Sequence, residues 1–259
     1  MSAPSIRARV RAELIEEIKA VARRQLATDG GNLSLRAVAR ELGMVSSAIY
    51  RYFPSRDSLL TALIVEAYQA LGDAAEAADA TRPRDDLRGR WLAISHAVRS
   101  WGLAHPAEYA LLYGSPVPGY AAPAETVGPA QRVVLALIQV LIDGAAAGRL
   151  APPAAAEPPP AVRADLDRLI RERPDLDAAG PGDTTADRPL SVEQLGRGLA
   201  GWSQLFGLVN FEVFGRLAQV IEDRTPYFDH QMRLMADLAG LPDQPGSGPT
   251  APGQPASEE

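Results

Sequence analysis

The sequence predicts an all-α fold on three observations. Apolar residues recur at helical spacing in one segment after another. Gly and Pro cluster between those segments. No run alternates apolar and polar residues long enough to make a strand.

The elements follow in order. Val10, Leu14, Ile18, Val21 and Ala22 share one face of a helix over residues 6–28. Asp29-Gly30-Gly31-Asn32 stops it. Ser34 is the N-cap of a short helix over 35–42, and Gly43 ends that helix as a residue free to take positive φ. A second short helix starts at Val45 or Ser46 and runs to Tyr52. Pro54 closes it, because the residue before a proline is pushed out of the helical region. Ser55 caps the next helix, which carries Leu59, Leu60, Leu63, Ile64, Ala67, Tyr68 and Leu71 on an apolar stripe to about residue 79. After a break at 81–84, helices are expected over 86–104, 106–113 and 125–148, with a Pro/Gly loop at 114–123. Pro106 suits a first helical position. Residues 149–190 form a Pro-rich insert, with five prolines in 152–160 and a short helix at 162–173. Ser191 and Glu193-Gln194 open a long helix over 191–222, and a last one covers 226–239. The tail 242–259 is expected to be disordered.

The chain has 259 residues and a net charge of −6, a balance that taken whole argues against a nucleic-acid partner. The charge is uneven. Residues 1–60 hold 10 basic and 6 acidic residues, and the remainder holds 16 and 26. A basic head on an acidic body points to a nucleic-acid-facing module. Cysteine is absent, which removes disulfides, thiolate chemistry and zinc–cysteine sites and fits a cytoplasmic location. Charged residues from Arg7 to Glu17 interrupt any signal peptide. The longest apolar stretch, 133–142, is too short to span a bilayer, so no membrane partner is expected. His96, His105 and His230 lack the spacing and carboxylate support of a metal site. No nucleophile elbow, Walker loop or dinucleotide fingerprint occurs. Neither a metal, a cofactor nor an enzymatic activity is expected.

The informative stretch is 34–60. Two short helices separated by Gly43 match a helix-turn-helix, with Ala39, Gly43 and Ile49 at the A-x3-G-x5-I spacing. Ala39 permits a close helix crossing, Gly43 makes the turn, and Ile49 pins the second helix to a core with Val38, Leu42 and Met44. The outward face is then Ser46, Ser47, Ala48, Arg51 and Tyr52, short and polar at the end that meets base edges in a major groove.

Tyr50-Arg51-Tyr52-Phe53-Pro54-Ser55-Arg56-Asp57-Ser58-Leu59-Leu60, with Leu35 to Gly43 before it, resembles the hallmark of the tetracycline-repressor-like (TetR) family of bacterial transcription regulators. The resemblance implies that Ser34, Tyr50, Tyr52 and Arg56 hold the DNA backbone, and that Arg36 contacts a phosphate or a base. Ser46, Ser47 and Ala48 would read bases, Ala48 by apolar contact alone. Arg51 serves either role. Arg56 departs from the commoner lysine, and a guanidinium binds phosphate at least as well. Residues 87–240 resemble the family's WHG-type body. Trp202 and Gly207 match the name's tryptophan and glycine, and Phe206 stands where its histidine belongs. The implied domains are a DNA-binding head over 1–60 with a linking helix to about 80, and a ligand-binding and dimerisation body over 84–240. The implied protein is a homodimeric repressor on a palindromic double-stranded DNA operator, released by a small-molecule inducer of unknown identity. Trp91, His96, Trp101, Tyr109, Tyr113, Trp202 and Gln204 are candidates to line the inducer pocket, with Glu108 and Glu212 as polar partners.

Overall fold

The computed structural model describes residues 6–28, 33–152, 157–172 and 190–243, and every regular element among them is helical. The chain divides into two compact units. The first gathers Met1–Ala74, Val98–Val133 and Val209–Ala218; the second gathers Ala75–Ala97, Val134–Leu208 and Gln219–Glu259.

The first unit begins with α1 (Ile6–Thr28), α2 (Leu35–Glu41) and α3 (Ser46–Ile49), followed by α4 (Arg56–Ala80). Ile18, Val21, Val38, Ala39, Ile49, Leu59 and Leu60 form its core. The Ser34 hydroxyl accepts from the Ala37 amide at 3.4 Å, as an N-cap should. Gly43 sits at φ 67°, and the Met44 amide reaches back to the Ala39 carbonyl at 2.8 Å. This closure turns the chain sharply enough for α3 to cross α2. The expected helix over 46–52 is shorter, because the Arg51 and Tyr52 amides reach back only three residues after Ile49. The first turns of α1 also differ from expectation. Val10 is 55% exposed rather than packed inward.

α5 (Leu87–Ala104), α6 (Pro106–Tyr113), a 3-10 turn (Ala124–Thr126) and α7 (Val127–Ala146) follow. Leu111, Val117 and Tyr120 from this stretch pack against the core of the first unit. As a unit of packing, the head therefore reaches beyond residues 1–60. Ala124–Ala146 is long and apolar enough to cross a membrane by length and composition, a longer run than the ten residues counted at 133–142. Its Val133, Leu137, Leu141 and Ile142 side chains are buried within protein.

The second unit contains α8 (Pro160–Glu172), most of α9 (Val192–Val213) and α10 (Arg224–Leu238). α8 falls inside the Pro-rich insert. Residues 153–156, 173–189 and the tail from 244 lie outside the described residues. Ser191 and Gln194 cap α9 reciprocally: the Gln194 amide donates to Ser191 Oγ at 3.2 Å, and the Ser191 amide to Gln194 Oε1 at 2.8 Å. The helix expected to reach 222 ends at Val213. Gly215 takes φ 70°, and the Arg216 amide closes onto the Phe211 carbonyl at 2.7 Å. Within this unit Arg90 is fully buried, paired with Asp79 at 2.7 Å and Asp143 at 2.6 Å.

Candidate nucleic-acid interface

The α2–α3 turn decides which side chains face outward. With Ala39 and Ile49 turned to the core, Ser46, Ser47, Tyr50 and Arg51 are exposed, while Ala48 is half-buried. Val45, just before α3, is 71% exposed. An apolar residue so exposed at this position suits contact with a thymine methyl, and it was not among the residues selected from sequence. Its signal was present, since an outward position beside the turn held a β-branched residue.

Ser34, Arg36, Tyr50 and Arg56 line one shallow cleft of about 270 Å³, together with Leu33 and Leu35. The structure thus brings together three of the four residues expected to hold the DNA backbone, with Arg36, expected on a phosphate or a base, beside them. Arg56 is held firmly there. Its Nε donates to the Leu33 carbonyl at 3.1 Å, and its Nη1 donates to the Pro118 carbonyl at 3.4 Å. Tyr52 is turned elsewhere. It packs half-buried on the helical core, and Arg11 of α1 lies over its ring at 5.1 Å. The same Arg11 donates to the Arg51 carbonyl at 3.4 Å, so α1 braces the end of α3. Arg11 is 41 residues from Tyr52, and nothing local marked it.

The candidates for a ligand pocket divide between the two units. In the second, Trp91 is fully buried, with its indole N–H donating to the Met232 carbonyl at 3.2 Å. A Cβ on Gly201 would stand 2.7 Å from the Trp91 ring, so that glycine makes room for the indole. His96 pairs with Asp229 at 3.0 Å. Asp229 is held below the usual carboxylate range by Arg233 first and His96 second, against burial. Trp202 packs edge-on against Phe206, and Gln204 is half-buried. In the first unit, Trp101 stacks on His105, and Tyr109 and Tyr113 meet at 5.0 Å. Burial pushes both phenols well above the tyrosine range. The side chain of Glu212, a candidate polar partner for the ligand, is buried against Arg99, whose Nε and Nη2 grip it at 2.7 Å each.

None of those seven lines the cavity of about 510 Å³ within the first unit. Its wall comes from α4 (Ile64, Tyr68), the end of α6 (Leu111, Leu112), the segment 114–122 and the start of α7. Thr126, Gln131 and Tyr120 bring polar groups into a mostly aliphatic lining, and no charged side chain contributes. No cluster of metal-ligating side chains occurs among the described residues.

Comparison with known proteins assigns this architecture. Residues 18–63 match the family described as bacterial regulatory proteins, tetR family. Residues 91–235 match the tetracyclin repressor-like C-terminal domain. The chain is 40% identical over 234 residues to the HTH-type transcriptional regulator Rv1816 of Mycobacterium tuberculosis (strain ATCC 25618 / H37Rv), covering 88% of this chain and 92% of that one. It is equally similar to the HTH-type transcriptional regulator Mb1846 of Mycobacterium bovis. The solved structure of SCO4313 superposes with a TM-score of 0.68 at 33% identity, over 91% of this chain and all of that one. A tetR-family regulatory protein from Rhodococcus RHA1 shares the fold, with a TM-score of 0.58 at 17% identity over 88% of this chain and 98% of that one. The matches to head and body, and the relatives along nearly the whole length, show that the chain belongs to the TetR family of bacterial transcription regulators.

Proposed function

We propose that the chain is a dimeric, cytoplasmic repressor that occupies a palindromic operator and leaves it when a small molecule binds the body. The observation that carries this reading is the cleft where Ser34, Arg36, Tyr50 and Arg56 meet, beside the exposed Ser46 and Ser47. Phosphate contacts at the cleft would set the register, and the serines with Val45 would read bases. Tyr52 and Ala48, both half-buried, would contribute at the edge, and Arg51 on either side. Two such heads would sit in successive major grooves, about 34 Å apart.

Dimerisation through the last helices is supported by what they leave uncovered. In α10, Leu234 and Leu238 are exposed one turn apart. In α9, Ala200, Ser203 and Gly207 form an exposed strip, and a Cβ on Gly207 would meet nothing within 4 Å. A second copy could approach closely there, making a four-helix bundle across a two-fold axis. The inducer's place is the 510 Å³ cavity, whose size suits a drug-sized molecule. The protein works by binding, without cofactor or turnover.

A gel shift with DNA from upstream of the chain's own gene tests the reading. Expected is a single retarded species whose footprint is a two-fold symmetric site. Binding that is equal on unrelated DNA would overturn it.

A further inference from the structure

The segment 116–120 belongs to two structures at once. Pro116, Val117 and Tyr120 form part of the cavity wall. The same segment is fastened to the head. The Pro118 carbonyl accepts from Arg56 Nη1 at 3.4 Å, and the Tyr120 hydroxyl bonds Thr61 Oγ1 of α4 at 2.9 Å. Val117 and Tyr120 also pack on the head's core. A second apolar cleft of about 430 Å³ lies behind the same stretch, lined by Leu26, Ala107, Gly114 and Val117 among others. Val117 borders both clefts, so around it the segment adjoins open space rather than a solid core.

The cavity's chemistry restricts its occupant. Its wall is aliphatic at Ile64, Leu111, Val117 and Val127, with polar atoms only from uncharged groups such as Tyr68, Thr126 and Gln131. An ionised ligand would give up part of its hydration there and meet no charged lining residue.

We propose that this cavity takes an uncharged, amphipathic small molecule, and that the 116–120 segment carries its occupancy to Arg56 by withdrawing the Pro118 carbonyl. This rests on the reading of the chain as an inducer-released operator binder and supplies its ligand class and its route. Two carbonyls hold the Arg56 guanidinium at the Ser34–Arg36–Tyr50 cleft, in a placement suited to phosphate. A ligand that spreads the segment removes one of those anchors. The head then loses affinity because it favours the bound geometry less, which is the differential binding that any such coupling requires.

The test uses the full-length protein and two probes with a shared aromatic core. N-phenyl-1-naphthylamine is uncharged, and 1-anilinonaphthalene-8-sulfonate carries a sulfonate. Expected is one uncharged probe per chain, with the sulfonate bound at least roughly tenfold more weakly. Ala130→Phe should abolish uptake by filling the cavity. Val127→Phe, at a half-exposed position of the same wall, should do likewise if the first variant folds poorly. Saturating uncharged probe should weaken binding to the upstream DNA by about fivefold or more. Thr61→Val should keep both probe and DNA binding while shrinking that factor. Equal affinity for the two probes, uptake surviving both fillers, or operator affinity indifferent to bound probe would each overturn the proposal. Failure of the probe-free protein to bind DNA would strike the repressor reading and the coupling with it, while the probe titrations decide the ligand class on their own.

Discussion

Arg56 offers the sharpest test of how the head meets DNA, because its charge and its placement can be separated. Its two backbone anchors, Leu33 at 3.1 Å and Pro118 at 3.4 Å, fix the guanidinium plane beside the cleft. If it neutralises one phosphate per head, Arg56→Ala lowers the slope of log affinity against log salt by about 0.9 per head, or about 1.8 for a dimer. Over a fourfold rise in salt, from about 50 to 200 mM, the wild type then loses about tenfold more affinity than the variant. Arg56→Lys keeps the charge but cannot span both carbonyls with a planar fork. It should keep the wild-type slope and lose affinity by about 1 kcal/mol per head, the net worth of an ordinary hydrogen bond. Fluorescence anisotropy on labelled operator across a salt series measures both quantities. Parallel slopes for wild type and Arg56→Ala would refute the phosphate role, and a flattened slope for Arg56→Lys would refute the separation of charge from placement.

Other expectations follow from individual contacts. Glu212→Gln leaves the buried Arg99 guanidinium without its counter-charge and should cost about 3–5 kcal/mol in urea unfolding, whereas Arg99→Met with Glu212→Leu should be close to neutral. A double variant as unstable as the single one would sink that account. Gly207→Glu places a charge on the exposed strip of α9 and should convert a dimer to monomer in sedimentation, leaving the helical signal unchanged. Ser47→Ala should alter preference at particular base pairs by about 1–3 kcal/mol in competition binding, with the salt slope kept. The phenols of buried Tyr109 and half-buried Tyr113 give an alkaline limit. Their neutral forms are favoured in the fold, so their contribution is complete below the unfolded value of about 10 and lost as pH rises past it. Tyrosinate absorbance and unfolding should therefore rise together. Titration of all seven tyrosines near that pH with the helices intact would contradict this.

Local chemistry made much of the fold legible. Ser34, Gly43, Ser191 and Gln194 mark helix ends with side chains and backbone angles that act within four residues, and the structure uses each of them in that way. The head's core was readable for the same reason: Ala39, Gly43 and Ile49 lie close enough in sequence for spacing to imply packing. Periodicity failed where it had to decide coverage. It placed Val10 on the apolar face of α1 but could not say that the first turns outrun the core. The expected helix over 191–222 likewise ran past the one residue, Gly215, that ends α9. The cavity is built from residues 64 to 131, and the Arg99–Glu212 pair spans 113 positions, so neither has a local signature. Single aromatics carry no such information either, since Trp91 fills the space that Gly201 leaves.

The charge asymmetry of the sequence acquires a physical form in the side-chain pairing. In the second unit, the most buried arginines are paired internally: Arg90 with Asp79 and Asp143, Arg88 with Asp237 and Asp243; the half-exposed Arg163 pairs with Glu193. Those guanidinium groups neutralise neighbouring carboxylates and present little positive potential outward. In the head, Arg36 and Arg51 are exposed and make no ion pair among the described residues. They stand beside the cleft that already holds Arg56. A polyanion senses the local field within about a Debye length, some 8–10 Å at physiological salt, rather than the net −6 of the whole chain. The head can therefore attract DNA while the acidic remainder repels it, and that repulsion favours contact through the helix-turn-helix face over any other surface.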